Sequence, residues 1–87
     1  MRLDKFLKTS CLFKTRSSAS KAIENGNVLI NEKKTKSSLN VKLDDILTVV
    51  TPLKISRYKI INILEKNVTK KEAKDMYQLI GEEKIEI

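Results

Sequence analysis

The hydrophobic pattern of this chain changes period once, at Asn25-Gly26, and that change constrains its fold more than any other feature. Upstream, Leu3, Phe6, Leu7 and Cys11 fall at i, i+3, i+4 and i+8, the spacing of one buried helical stripe. The spacing predicts a first helix over residues 3–10, with Lys5 and Lys8 facing water and Cys11 as a small core residue. Asp4, in the first turn, complements the positive end of the helix dipole or orients Arg2 and nearby basic groups. Phe13-Lys14-Thr15-Arg16 interrupts the pattern. Ser17 or Ser18 then caps a second helix, because a serine hydroxyl satisfies an otherwise unpaired backbone N–H. Ala19, Ala22 and Ile23 repeat at helical spacing, and Asn25-Gly26 closes the helix with a residue able to take positive φ.

Downstream the period is that of strands. Val28-Leu29-Ile30 is a short β-rich run, Asn31-Glu32 suits a hairpin tip, and Lys33–Lys36 returns as a polar edge strand. Val41–Asp45 reads as a turn into a strand over 46–50, which the single proline, Pro52, ends. A longer strand over 55–64 places Arg57 and Lys59 on a solvated face and leaves Tyr58 for packing or cross-strand pairing. Thr69-Lys70-Lys71-Glu72 has the form of a capping box. Ala73, Met76, Tyr77 and Ile80 then continue at helical spacing to a stop at Gly81, with Glu82–Ile87 as a frayed tail. The expected class is α+β: two N-terminal helices packed on a small, mainly antiparallel sheet of about four to five strands, plus a C-terminal helix. Eighty-seven residues make one domain with little volume for a deep substrate pocket.

Composition narrows the chemistry. The chain carries a formal charge of +7. Residues 1–36 hold nine Lys/Arg against three acids, whereas residues 37–87 hold nine against eight, so the excess is N-terminal. Such a balance fits nucleic acid or an anionic membrane surface. One cysteine excludes an intramolecular disulfide, and the absence of histidine removes the commonest metal ligand, so neither a metal nor a cofactor is expected. No apolar run approaches the ~18–20 residues of a membrane span, and residues 1–9 do not resemble a signal peptide. The expectation is a cytoplasmic, soluble monomer. Four aromatic residues, Phe6, Phe13, Tyr58 and Tyr77, are too few for a platform of successive stacked bases.

Met1-Arg2-Leu3-Asp4-Lys5-Phe6-Leu7, the Lys14/Arg16 loop, Ala19…Ala22…Gly26, Val28…Ile30-Asn31 and Val41-Lys42…Asp45 stand in that order at tight spacing. Together they resemble the S-four-type RNA-binding domain, or alpha-L motif, over about residues 1–50. With the closing segment Thr69-Lys70-Lys71-Glu72-Ala73…Met76-Tyr77…Glu82-Glu83-Lys84, the chain looks like the bacterial RqcP (YabO) family, related to heat-shock protein fifteen. The resemblance implies an alpha-L domain over residues 1–64 and a C-terminal helical extension over 65–87. It also implies binding to large-subunit rRNA and peptidyl-tRNA on obstructed subunits, in support of C-terminal alanine tailing by an RqcH-type, NEMF-like factor. Relatives often carry more arginine in the basic loop, and usually a glycine where Asp44 stands.

The RNA-binding candidates are Arg2, Lys5, Lys8, Lys14, Arg16, Ser17, Ser18, Lys21, Lys33, Lys34 and Lys36. Helical RNA is recognised by shape, phosphates and 2′-hydroxyls, which suits a helix-loop-helix with cations on one side. Arg16 leads the set because its planar fork can hold two phosphate oxygens. The lysines supply point charges, and Ser17 and Ser18 supply hydroxyls or helix N-terminal amides. An RNA-modifying enzyme would need a catalytic domain that does not fit into residues 51–87, and no catalytic residues are expected. A DNA-binding helix-turn-helix should project long polar side chains, whereas Ala19–Glu24 is small and mostly nonbasic. The alternative within the RNA class is a general rRNA-binding or ribosome-recycling factor of the heat-shock protein fifteen type.

Overall fold

The computed structural model describes residues 1–85. Two helices, α1 (Leu3–Thr9) and α2 (Arg16–Glu24), lead into strands β1 (Val28–Ile30), β2 (Lys33–Lys34), β3 (Ile46–Val50) and β4 (Lys54–Ile60). A one-turn helix α3 (Lys70–Ala73) and a 3₁₀ turn (Lys74–Met76) precede the last strand, β5 (Tyr77–Lys84). The five strands form one antiparallel sheet in the order β2-β1-β3-β4-β5. The α+β class, the two packed N-terminal helices and the five-strand sheet match the expectation.

Local chemistry sets each boundary. α1 ends one residue before its hydrophobic stripe suggested: Ser10 is the C-cap, and Cys11 turns to φ +63° while its N–H bonds Lys8 O at 3.1 Å. That left-handed residue swings the thiol outward, so Cys11 is exposed and the buried position passes to Ser10, correcting the reading of Cys11 as core. The cap of α2 is Thr15, not Ser17 or Ser18: its Oγ1 accepts the Ser18 N–H at 3.0 Å. α2 closes in a Schellman arrangement, with Gly26 N–H on Ile23 O, Asn27 N–H on Ala22 O and Gly26 at φ +77°.

Asn31 and Glu32 both take positive φ, +51° and +66°, the backbone of a two-residue hairpin turn whose twist matches that of strands. Asn31 Oδ1 also accepts the Ile46 N–H at 3.0 Å, tying the hairpin tip to β3. Only Lys33 and Lys34 of the expected edge strand pair with β1. The chain then crosses the start of α1: Leu3 N–H bonds Leu39 O at 2.7 Å, Asp4 N–H bonds Ser37 O, Val41 N–H bonds Met1 O, and Arg2 bridges Asn40.

β4 stops at Ile60, short of the expected Leu64, because the N–H groups of Ile61 and Asn62 both turn to Met76 O. The capping box is present, with Thr69 Oγ1 accepting the Glu72 N–H and Glu72 reaching back to Thr69. Its helix lasts a single turn. Tyr77 and Ile80, expected in a helix, and Gly81, expected as its stop, lie in β5, as do Glu82–Lys84 of the expected tail, whose last residues 86–87 fall outside the described residues. The otherwise unpaired edge of β4 outweighs the helical spacing of Tyr77 and Ile80, since backbone groups it would leave bare gain partners from β5. A register shift at Arg57/Tyr58 leaves Ile80 as the extra residue of a bulge.

One cluster forms the core. Leu3, Phe6 and Leu7 of α1 and Ala19 and Ile23 of α2 join Val28, Ile30, Leu47 and Ile60 of the sheet, with Met76 closing the end. Val28 opposes Val49, Ile30 opposes Leu47 and Leu47 opposes Tyr58, so these residues share the helix-covered face. Tyr58 meets Tyr77 edge-to-face at 5.2 Å on that side. Thr48, Arg57 and Lys59 alternate onto the opposite face.

Candidate nucleic-acid interface

The candidate cations gather on the surface made by α1, the following loop and α2, with the hairpin beside it. Arg2, Lys8, Lys14, Arg16, Ser17, Ser18, Lys21, Lys33, Lys34 and Lys36 are exposed, and Lys5 is half-buried. The chain crossing α1 carries Lys36 to the start of that helix. The Lys34 stem lies over Gly26, where an added Cβ would come within 3.3 Å of its Cε. Lys34, Thr35, Lys36 and Leu39 line an open depression of about 360 Å³. No ion pair holds Lys5, Lys8, Lys14, Lys21, Lys33, Lys34 or Lys36 among the described residues.

Asp4 organises the two arginines. Its carboxylate is buried, and its Oδ2 lies 3.2 Å from Arg2 Nη2 and 3.3 Å from Arg16 Nε. Burial alone would raise its carboxyl. The close contact and charge of the Arg16 guanidinium, the hydrogen bond from the Lys5 N–H and the charge of Arg2 outweigh this and hold it below the usual value. Arg16 is therefore bound on one side and half exposed on the other. Ser18 is less available than expected, since its hydroxyl donates to Thr15 O at 2.9 Å within the cap. The first turn of α2 has no acidic residue of its own, and the positive end of a helix favours an anion. Sequence reasoning missed Thr15, whose signal was the Thr-x-x-Ser spacing into the second helix.

The cations along β4 are electrically different, two of them, Arg57 and Lys59, on the sheet's far face and Lys54 at the start of the strand. Lys54 pairs with Glu82 at 3.5 Å, Arg57 with Glu32 at 3.1 Å, and Lys59 with Asp44 at 3.4 Å. The hydrogen bond from Arg57 lowers the Glu32 carboxyl against a smaller opposing effect of burial. Among the described residues no group of three or more His, Cys, Asp or Glu could hold a metal, and no helix is long and apolar enough to cross a membrane.

A helix-loop-helix with free cations, backed by a hairpin and an antiparallel sheet, defines an S4-type RNA-binding module, and the S4 domain family model matches residues 1–47. Nearly the whole chain aligns with bacterial proteins named "RQC P-site tRNA stabilizing factor". It is 41% identical to that of Bacillus subtilis (strain 168), covering 98% of each chain. It is 42% identical to that of Listeria monocytogenes, covering 97% of this chain and 90% of the relative. A trimeric structure of Vibrio cholerae Heat Shock Protein 15 superposes with a TM-score of 0.85 at 29% identity, covering 92% of this chain and 81% of that one. The protein belongs to the S4-domain family, within the group of RQC P-site tRNA stabilizing factors.

Proposed function

We propose that this protein is a noncatalytic RNA-binding factor of bacterial ribosome-associated quality control. It acts in the cytoplasm as a monomer, on large ribosomal subunits that still hold a nascent chain and its tRNA. The observation that carries this reading is kinship along nearly the whole chain with relatives named for stabilising P-site tRNA in that process. The free cations of α1, the loop and α2 are the chemistry such a task requires, because neutralising phosphates supplies most of the affinity for structured RNA. Lys33, Lys34 and Lys36 extend the contact along the hairpin. By holding rRNA and peptidyl-tRNA together, the factor supports alanine tailing by an RqcH-type partner.

The test is co-sedimentation of the tagged protein with large subunits from stalled lysates, probed for peptidyl-tRNA, beside alanine tailing of a stalled reporter. The wild type should travel with tRNA-bearing subunits, and the Lys14→Ala/Arg16→Ala protein, folded by circular dichroism, should not. Undiminished co-sedimentation of that variant would remove the site assignment. The likeness to Heat Shock Protein 15 favours a second reading, a general rRNA-binding or recycling factor. Subunit binding with unaltered alanine tailing in a deletion strain would select it.

A further inference from the structure

Asp4 is an acid set into the middle of a surface built to attract phosphate. Its side chain is 5% exposed, and it touches both helices: Oδ1 accepts the Lys5 N–H of α1 at 2.8 Å, and Oδ2 lies 3.5 Å from the Ser20 hydroxyl of α2. The same Oδ2 receives Arg2 and Arg16, whose side chains are 50% and 49% exposed. A negative charge here opposes an approaching phosphate, so on charge alone the site would bind better without it. What it provides is geometry. It meets Arg16 at Nε, and both terminal nitrogens of that guanidinium remain without a partner among the described residues.

We infer that Asp4 is the positioning residue of the RNA site: it holds Arg16 by Nε and Arg2 by one terminal nitrogen, presenting their free N–H groups as a fixed pair toward one phosphate-bearing strand. This rests on the RNA-binding reading above and specifies how that site works. An arginine held in this way keeps a two-pronged donor edge for phosphate and loses less freedom on binding than an untethered one. A lysine at position 16 could not do the same, because its ammonium is a single point charge that, once bonded to Asp4, has no separate planar, two-pronged edge to present to phosphate.

The experiment measures binding to purified large-subunit ribosomal RNA by fluorescence anisotropy over a series of salt concentrations. Asp4→Asn raises the net charge by one unit, yet it should weaken binding about tenfold. In an Arg2→Ala/Arg16→Ala background the same change should no longer weaken binding, since nothing is left to position. Arg16→Lys, at a half-exposed site, should lose nearly as much affinity as Arg16→Ala. This arm decides the matter if Asp4→Asn does not fold. The inference is overturned if Asp4→Asn binds as tightly as wild type or more tightly, if it still weakens the double-alanine background, or if Arg16→Lys retains most of the affinity. Failure of the wild type itself to bind would overturn the RNA-binding reading along with it. Wild-type binding that Asp4→Asn leaves intact would overturn the positioning role alone.

Discussion

Along β4, Lys54, Arg57 and Lys59 each meet an acid supplied by another segment, Glu82, Glu32 and Asp44. Across α1, the loop and α2, Lys8, Lys14 and Lys21 stand exposed with no such partner among the described residues. Both regions are rich in cations, and only one has charge to offer a ligand. The pairing on the sheet is assembled by tertiary structure, because Glu32 reaches Arg57 across 25 positions and Glu82 reaches Lys54 across 28. Counting charges along a sequence locates cations; the fold decides which of them remain free.

The contrast is open to direct attack. Replacing Lys8, Lys14 and Lys21 together with alanine should lower affinity for ribosomal RNA about 100-fold at physiological salt and flatten the salt dependence by two to three units of slope. The matching replacement of Lys54, Arg57 and Lys59 should change affinity by no more than about threefold. Equal losses in the two triple variants, read by filter binding, would erase the distinction.

Acid should also act on the helical region. The folded Asp4 carboxyl lies below its ordinary value, so the stability it contributes is present above that ordinary value and is lost as pH falls through the lowered one. Asp4→Asn should therefore lower Tm at neutral pH and show a shallower drop between neutral pH and about pH 3 than wild type. A parallel pair of Tm–pH curves would remove Asp4 from that account.

Smaller effects sharpen the comparison. Thr15→Ala removes the cap that aims the basic loop and should cost about 1 kcal/mol in urea denaturation. Asp44→Gly relieves a φ of +72° on the sheet side and should raise stability by about 0.5 kcal/mol. It also frees Lys59, and RNA affinity should nonetheless stay unchanged, since a single cation on the far face does not make a site.

The parts legible in the sequence were those governed by neighbours in the chain. Leu3, Phe6 and Leu7, the Asn25-Gly26 stop, the Asn31-Glu32 turn and the Thr69–Glu72 capping box all carry their own geometry. β5 was not legible, because Tyr77 and Ile80 fit a helical period as well as a strand, and the deciding factor was the bare edge of β4. Cys11 was misplaced by a single residue of helix length, which turned a core position into a surface one. For the candidate site, the exposed cations could be listed from sequence. That Asp4 joins Arg2 to Arg16 depends on how two helices cross, and spacing alone does not report it.

The crossing of residues 37–41 over the start of α1 has its own consequence. Chain ends ordinarily fray, and their amides exchange with solvent almost freely. Here the amides of Leu3 and Asp4 are held by carbonyls more than thirty residues away, and the Met1 carbonyl is held by the Val41 amide. In deuterium exchange these opening residues should behave as part of the interior. Loosening of these residues would then report that the crossing segment had lifted off α1.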